Sequence, residues 1–260
     1  MGKRTRSPVE LHQRWENTGN RVRLPMAPNN RETHIICAAA WLRYTPDLNM
    51  TTDTTLADLL EDLGGISPSR VRMQPPPGTA TEQDVLDIEA KENRLFELVD
   101  GVLVEKAMGF WESVLGGAIL AALHAFVAPR KLGKVAGSDG MMRLFPNLRL
   151  IRMPDVAFVS RERLAPLGTE RRPVPQLAPD LAVEVLSEGN TVAEMQRKRR
   201  EYFDAGVRLV WIIDGVARTV EVYTEVENPV LLREGQMLDG GAVLPGFTLD
   251  LAALFAELDE

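Results

Sequence analysis

The chain has little of what builds common metal and redox sites. It holds one cysteine, Cys37, in 260 residues, which excludes an internal disulfide framework and a thiolate zinc site. Three histidines, His12, His34 and His124, leave no material for a multi-histidine zinc centre. Long hydrophobic runs are missing as well. The best, Val114 to Val127, contains His124 and a Gly-Gly pair and falls short of the roughly 20 residues that span a bilayer. The basic opening Met-Gly-Lys-Arg-Thr-Arg is not followed by an apolar signal-peptide core. The expectation is a cytoplasmic protein that engages no membrane. Positive charge is in deficit too: the formal net charge is −7. That argues against coating nucleic acid through bulk electrostatics, but not against an enzyme that gathers a few cations around an acidic site.

What charge there is lies unevenly. Residues 1–49 carry eight Lys/Arg against four Asp/Glu, while the remainder carries 22 against 33. The first segment also holds two of the three histidines, the cysteine and two of the four tryptophans. It reads as a poorly ordered extension or an over-long start. Residues 50–79 read as a helix followed by a proline-rich linker, and residues 80–258 as the main domain.

Within the rest, spacing predicts a helix over 51–63, where Leu56, Leu59, Leu60 and Leu63 repeat at helical intervals before Gly64-Gly65. A second helix starts at Thr81, with Asp84 three residues on, and reaches about Asn93. Asp100-Gly101 between two apolar runs predicts a hairpin over 95–105. A long apolar helix follows over 111–127, stopped by Pro129, then a strand pair over 133–145. Strands are predicted at 155–159, 181–186, 209–213, 219–223 and 230–232. Thr191 and Glu194 open a helix reaching about Ala205, and a last helix covers 249–258. The order implies an α/β fold with a mixed sheet covered by helices.

The chemistry starts from a misplaced charge. Glu184 sits in Leu181-Ala182-Val183-Glu184-Val185-Leu186, where a carboxylate is costly to bury without a cation, a hydrogen-bond network or a metal ion. An edge strand with one solvated face would also tolerate it. A second acid, Asp155, follows Pro154 and opens another apolar run; it fits a ligand or a turn. Asp180 stands four residues before Glu184, roughly 13 Å along one strand, too far to share an ion, and reads as a turn residue. In Gln196-Arg197-Lys198-Arg199-Arg200, helical geometry turns one cation, Lys198 or Arg199, toward the apolar stripe of Val192, Met195, Tyr202 and Phe203. The run could equally be a solvated basic face. Glu97, opposite Phe96 and Leu98 on the hairpin, is either a ligand or an outward residue. Two acids on core strands plus a lysine can hold a divalent metal and attack a phosphodiester.

The segments FELVDGVLVE, MPDVAFVS, PDLAVEVLSEGNT, KRREYFDAGVRLVWIID and TVEVY occur in this order. Together they resemble the Uma family of candidate endonucleases, part of the PD-(D/E)XK restriction-endonuclease-like superfamily, over about residues 80–255. The resemblance implies a restriction-endonuclease-like mixed β-sheet flanked by helices, and Mg²⁺ (or Mn²⁺) on Asp155 and Glu184 with the backbone carbonyl of Val185. The superfamily lysine usually falls two residues after the second acid, where this chain has Leu186. The family's lysine stands four residues before a tyrosine on the next helix, which is Lys198 here. Glu97 matches the acid of the family's hairpin and would hold a second metal or a water. Many relatives carry a histidine where this chain has Gly109-Phe110-Trp111-Glu112. Arg197, Arg199 and Arg200 become candidate phosphate contacts. The implied partner is nucleic acid, DNA by resemblance, and similar folds imply a homodimer. The competing expectation is an inactive binding or assembly module that keeps the fold.

Overall fold

Thr81 opens the second helix by the device the sequence announces, and Thr55 opens the first, which starts later than residue 51, in the same way. Each offers its backbone N–H to an aspartate three residues on, Asp58 and Asp84. The computed structural model describes residues 54–146 and 149–259. In chain order its elements are α1 (Leu56–Asp62), β1 (Val71–Arg72), α2 (Glu82–Glu92), β2 (Phe96–Val99), β3 (Val102–Glu105), α3 (Phe110–Arg130), β4 (Gly133–Ala136), β5 (Met142–Arg143), β6 (Leu150–Arg152) and β7 (Val156–Ser160). There follow α4 (Arg161–Leu164), β8 (Leu181–Val185), α5 (Val192–Asp204), β9 (Leu209–Asp214), β10 (Thr219–Tyr223), β11 (Val230–Arg233), β12 (Met237–Gly240), β13 (Leu244–Asp250) and α6 (Leu251–Ala256). The α/β class with a mixed sheet is as expected.

A six-stranded sheet runs β11-β10-β9-β8-β7-β4 and a five-stranded sheet β1-β3-β2-β6-β5. β8 and β9 pair in parallel; β7 and β8 are antiparallel. β8 is therefore central, and all five of its residues are buried. Its alternation sorts two cores. Leu181, Val183 and Val185 face a cluster with Leu115, Ile119 and Leu123 of α3 and Leu254 and Phe255 of α6. Ala182 faces the other way, with Met195 and Tyr202 of α5. An edge-strand explanation of Glu184 is thereby removed.

The β2–β3 hairpin closes through Asp100 (φ 51°) and Gly101 (φ 79°), the pair of left-handed residues that a tight hairpin needs. The chain then passes from β6, in the smaller sheet, through Met153-Pro154 to β7, in the larger. Asp155 stands at that crossing.

Several expectations need correction. The strand pair over 133–145 does not form: β4 pairs with β7 and β5 with β6. Gly133 allows the first pairing, since a Cβ there would stand 1.9 Å from the Val159 carbonyl oxygen. The helix expected before Gly64-Gly65 forms as α1, but the proline-rich stretch after it is packed against the domain and is not a free linker. Leu59, Leu63, Ile66 and Val71 belong to the same buried cluster as Ala182, and β1 pairs with β3. Pro129 does not stop α3, which continues to Arg130; the carbonyl its missing N–H would have served is that of exposed Ala125. At 21 residues α3 meets the length and hydropathy of a membrane span, which the shorter reading of the run did not. The β12–β13 hairpin was not expected, and it shortens the last helix at its start. The proposed extension, residues 1–49, lies outside the described residues.

Candidate active site

Glu184 lies on the α5 side of β8 and is 4% exposed. Thr191 caps α5 by accepting the Glu194 N–H at 3.0 Å, which sets the helix with Lys198 and Tyr202, one turn apart, over the strand. Lys198 Nζ donates to Glu184 Oε2 at 3.2 Å, and the Tyr202 hydroxyl donates to Glu184 Oε1 at 2.5 Å. Of the two cations that periodicity left open, Lys198 is the one aimed at the core acids. Arg199 is also buried, but its guanidinium stacks on Tyr223 at 4.2 Å and lies 3.3 Å from Glu227.

Glu97 comes from the other sheet and is fully enclosed. Its Oε1 accepts the Met153 N–H at 3.0 Å and lies 3.4 Å from Lys198 Nζ; its Oε2 accepts from Arg152 at 2.8 Å. With both oxygens engaged, Glu97 holds Lys198 and Arg152. The network continues inward. Arg152 pairs with Glu201 at 2.6 Å, Glu201 with Arg197 at 2.8 Å, and Arg197 with Asp100 at 2.5 Å. Arg197 also donates to the Asp62 carbonyl. It is buried and its fork is occupied, so it braces the site and cannot contact a nucleic acid. Arg200 is exposed.

Asp155 is 6% exposed. Its N–H donates to the Val183 carbonyl at 2.9 Å, extending the β7–β8 ladder. Its Oδ2 accepts the Val185 N–H at 2.7 Å, so the carboxylate is tied to the peptide that follows Glu184. Asp155 Oδ1 is buried and makes no hydrogen bond, although Lys106 Nζ lies 2.9 Å away. The Lys106 ammonium donates to the carbonyls of Met153 and Ser138, at 2.6 and 2.9 Å.

Charge placement explains the titration shifts. Burial pushes the Glu184 carboxyl up, and the neighbouring Asp155 and Glu97 carboxylates add to this against the opposing pull of Lys198. Burial also works to raise Glu97, but Lys198, Arg152 and the Met153 N–H outweigh it and hold the group below its ordinary value. Burial disfavours the Lys198 ammonium, yet Glu184 and Glu97 together overcome this and raise it. The Tyr202 phenol is pushed well up by burial and then by Glu184, so it remains a hydrogen donor.

Sequence reasoning missed Lys106, Arg152 and Glu201. Arg152 carried a signal: a cation inside Leu150-Ile151-Arg152-Met153 invites the same question as Glu184. Lys106 carried none, because it follows a hairpin where charges are ordinary.

The oxygen-only donors of Asp155 and Glu184 suit a hard divalent cation, and the buried Asp155 Oδ1 makes no hydrogen bond and faces only the charge of Lys106. Among the described residues no three carboxylate, imidazole or thiolate groups converge on one point, so an ion here would complete its shell from backbone or water oxygens. Beside the site runs a groove of about 1120 Å³, reaching Val185 and Met195. Its charged lining is Glu112, Glu188, Asp214, Glu221 and Glu227 against Arg199 alone.

Residues 81–252 match the Uma2 family, described as "Putative restriction endonuclease". The fold is similar to the crystal structure of a "putative nuclease belonging to DUF820" from Anabaena variabilis, with a TM-score of 0.57 and 17% identity, covering 64% of this chain and 92% of that one. No curated protein matches the chain.

Proposed function

The chain belongs to the Uma2 family of restriction-endonuclease-like proteins, and from that membership we propose that it is a cytoplasmic, metal-dependent endonuclease hydrolysing phosphodiester bonds in DNA. The observation that carries the reading is the buried pair Asp155 and Glu184 with the Lys198 ammonium against Glu184 and one Asp155 oxygen left without a hydrogen bond. Asp155, Glu184 and the backbone carbonyl of Val185 would hold Mg²⁺ or Mn²⁺. A divalent ion there supplies Lewis-acid activation of the phosphodiester. The protein's own groups do the rest. The Val185 N–H orients Asp155, and the Tyr202 hydroxyl fixes Glu184. Lys198, held between Glu184 and Glu97, offsets charge developing on the phosphate oxygens or orients the attacking water. Glu97 is a positioning residue that acts through Lys198. Exposed Arg200 and groove-lining Arg199 are the remaining candidates for backbone-phosphate contacts. A homodimer would bring two such sites to two strands.

The test is cleavage of supercoiled plasmid with Mg²⁺ or Mn²⁺, compared across the wild type, Asp155→Asn and Glu184→Gln. The expected result is nicking by the wild type alone. Undiminished cutting by both folded variants would reject the proposal.

The acidic groove and the near-complete burial of both acids favour a second reading, an inactive binding or assembly module on the same fold. It expects no metal-dependent cleavage and no heat of metal binding in calorimetry.

A further inference from the structure

Lys106 is a buried cation to which the reading above assigns no role. Its side chain is 3% exposed, and it leaves the hairpin immediately after β3 to bring its ammonium against three oxygens. The Met153 carbonyl accepts from it at 2.6 Å and the Ser138 carbonyl at 2.9 Å, while Asp155 Oδ1 lies 2.9 Å away as a charge contact without a hydrogen bond. Two backbone carbonyls and a carboxylate are the donor set that a hard cation takes. The oxygen of Asp155 that faces Lys106 is also the one left free by the Val185 N–H, which binds the other oxygen. A divalent ion reaching Asp155 would meet that same atom as the carboxylate oxygen without a hydrogen bond.

We infer that the Lys106 ammonium occupies the cation position on Asp155 Oδ1 and competes with a divalent ion for it. The inference rests on the reading that Asp155 and Glu184 take such an ion. Two effects work together. The ammonium fills the coordination direction, and its charge repels a second cation in a buried, weakly screened place. Lys198 does not play this part, because its contacts are with Glu184 and Glu97. Lys106 would thus set how much free metal the site needs before it fills.

The experiment is titration calorimetry with MnCl₂ on the full chain, comparing the wild type with Lys106→Met. Methionine keeps the length and removes the charge. Lys106→Gln serves beside it, since its amide can still donate to the two carbonyls should methionine prevent folding. Removing one like charge at contact distance is expected to tighten Mn²⁺ binding at least about tenfold. The gain should vanish when Asp155→Asn is added. Equal affinity in the wild type and the Lys106 variant overturns the inference and leaves the nuclease reading standing. A gain that survives Asp155→Asn also overturns it, because the ion then sits elsewhere. No Mn²⁺ binding by any of these proteins overturns the metal reading itself.

Discussion

Two aspartates follow prolines at the ends of neighbouring strands, and they are handled in opposite ways. Asp180, ahead of β8, is saturated. Its Oδ2 accepts the Ser160 N–H at 2.7 Å, and its Oδ1 meets Arg208 at 2.7 Å and Arg163 at 2.9 Å. Burial pushes its carboxyl up, but the Ser160 N–H and the two arginines outweigh that and hold it below its ordinary value. Asp155, ahead of β7, has one oxygen tied to the Val185 N–H and the other buried without a hydrogen bond. Its neighbours include a second carboxylate, Glu184, whose own group is pushed up by burial and crowding. Asp180 is a lock between elements. Asp155 is half of an acid pair, and its second oxygen meets only the Lys106 ammonium, without a hydrogen bond. The same Pro-Asp dipeptide thus serves stability in one place and, in the proposed function, metal binding in the other, and the difference lies in what faces the second oxygen, two guanidinium groups at Asp180 and one ammonium at Asp155.

That contrast can be broken at either end. The largest expected effect is on turnover. Asp155→Asn or Glu184→Gln should lower metal-dependent cleavage at least about 100-fold, because even groups behind a metal ligand are worth 10–100-fold. Asp180→Asn should leave the rate per folded molecule unchanged in the same gel assay. Equal losses for Asp180→Asn and Asp155→Asn would erase the distinction.

Next in size is the cation that bridges the two sheets. Lys198→Met leaves Glu184 and Glu97 without their shared partner, a loss of about 3–5 kcal/mol at pH 8. The folded-state carboxyl of Glu184 then rises further. An acid raised on folding costs stability above its unfolded value, about 4.3, and the cost fades as pH falls toward that value. Urea unfolding should therefore show a smaller deficit at pH 5 than at pH 8. A pH-independent deficit would mean that Lys198 contributes packing and not charge.

For Asp180→Ala a loss of about 2 kcal/mol is expected, kept modest because Arg208 is half exposed and screened. The Asp180 carboxyl is depressed on folding, so its contribution is present above about pH 3.9 and disappears as pH falls through the folded value. Acid titration of the stability gap between wild type and Asp180→Asn measures this directly. The smallest effect belongs to exposed Arg200. Arg200→Gln should weaken DNA binding a few-fold at most and reduce the slope of log affinity against log salt by about one.

How much of this could be read beforehand follows from how local each signal is. The β2–β3 hairpin, β8 and α5 announced themselves through Asp100-Gly101, the apolar run around Glu184 and the Thr191 cap, all of which act within a few residues. β4 and β5 did not, because their partners β7 and β6 are set by sheet order and no turn joins them. The β12–β13 hairpin carries a turn signal of its own, Asp239-Gly240-Gly241 between Leu238 and Val243. At the site, Asp155, Glu184 and Lys198 stood out as charges where apolar residues belong. The roles of Arg197 and Glu97 did not follow from sequence, since both depend on Arg152 and Glu201 arriving from other elements. Lys106 could be found only from coordinates: nothing within the hairpin reveals that its ammonium reaches the Asp155 crossing.

The most direct measurement is the anomalous signal of Mn²⁺ soaked into crystals of the wild type and of Lys106→Met. A peak between the Asp155 and Glu184 carboxylates is expected, stronger in the variant, with Lys106 Nζ drawn away from Asp155 in the wild type. Crystals of both proteins that carry no peak at these two acids would contradict the account.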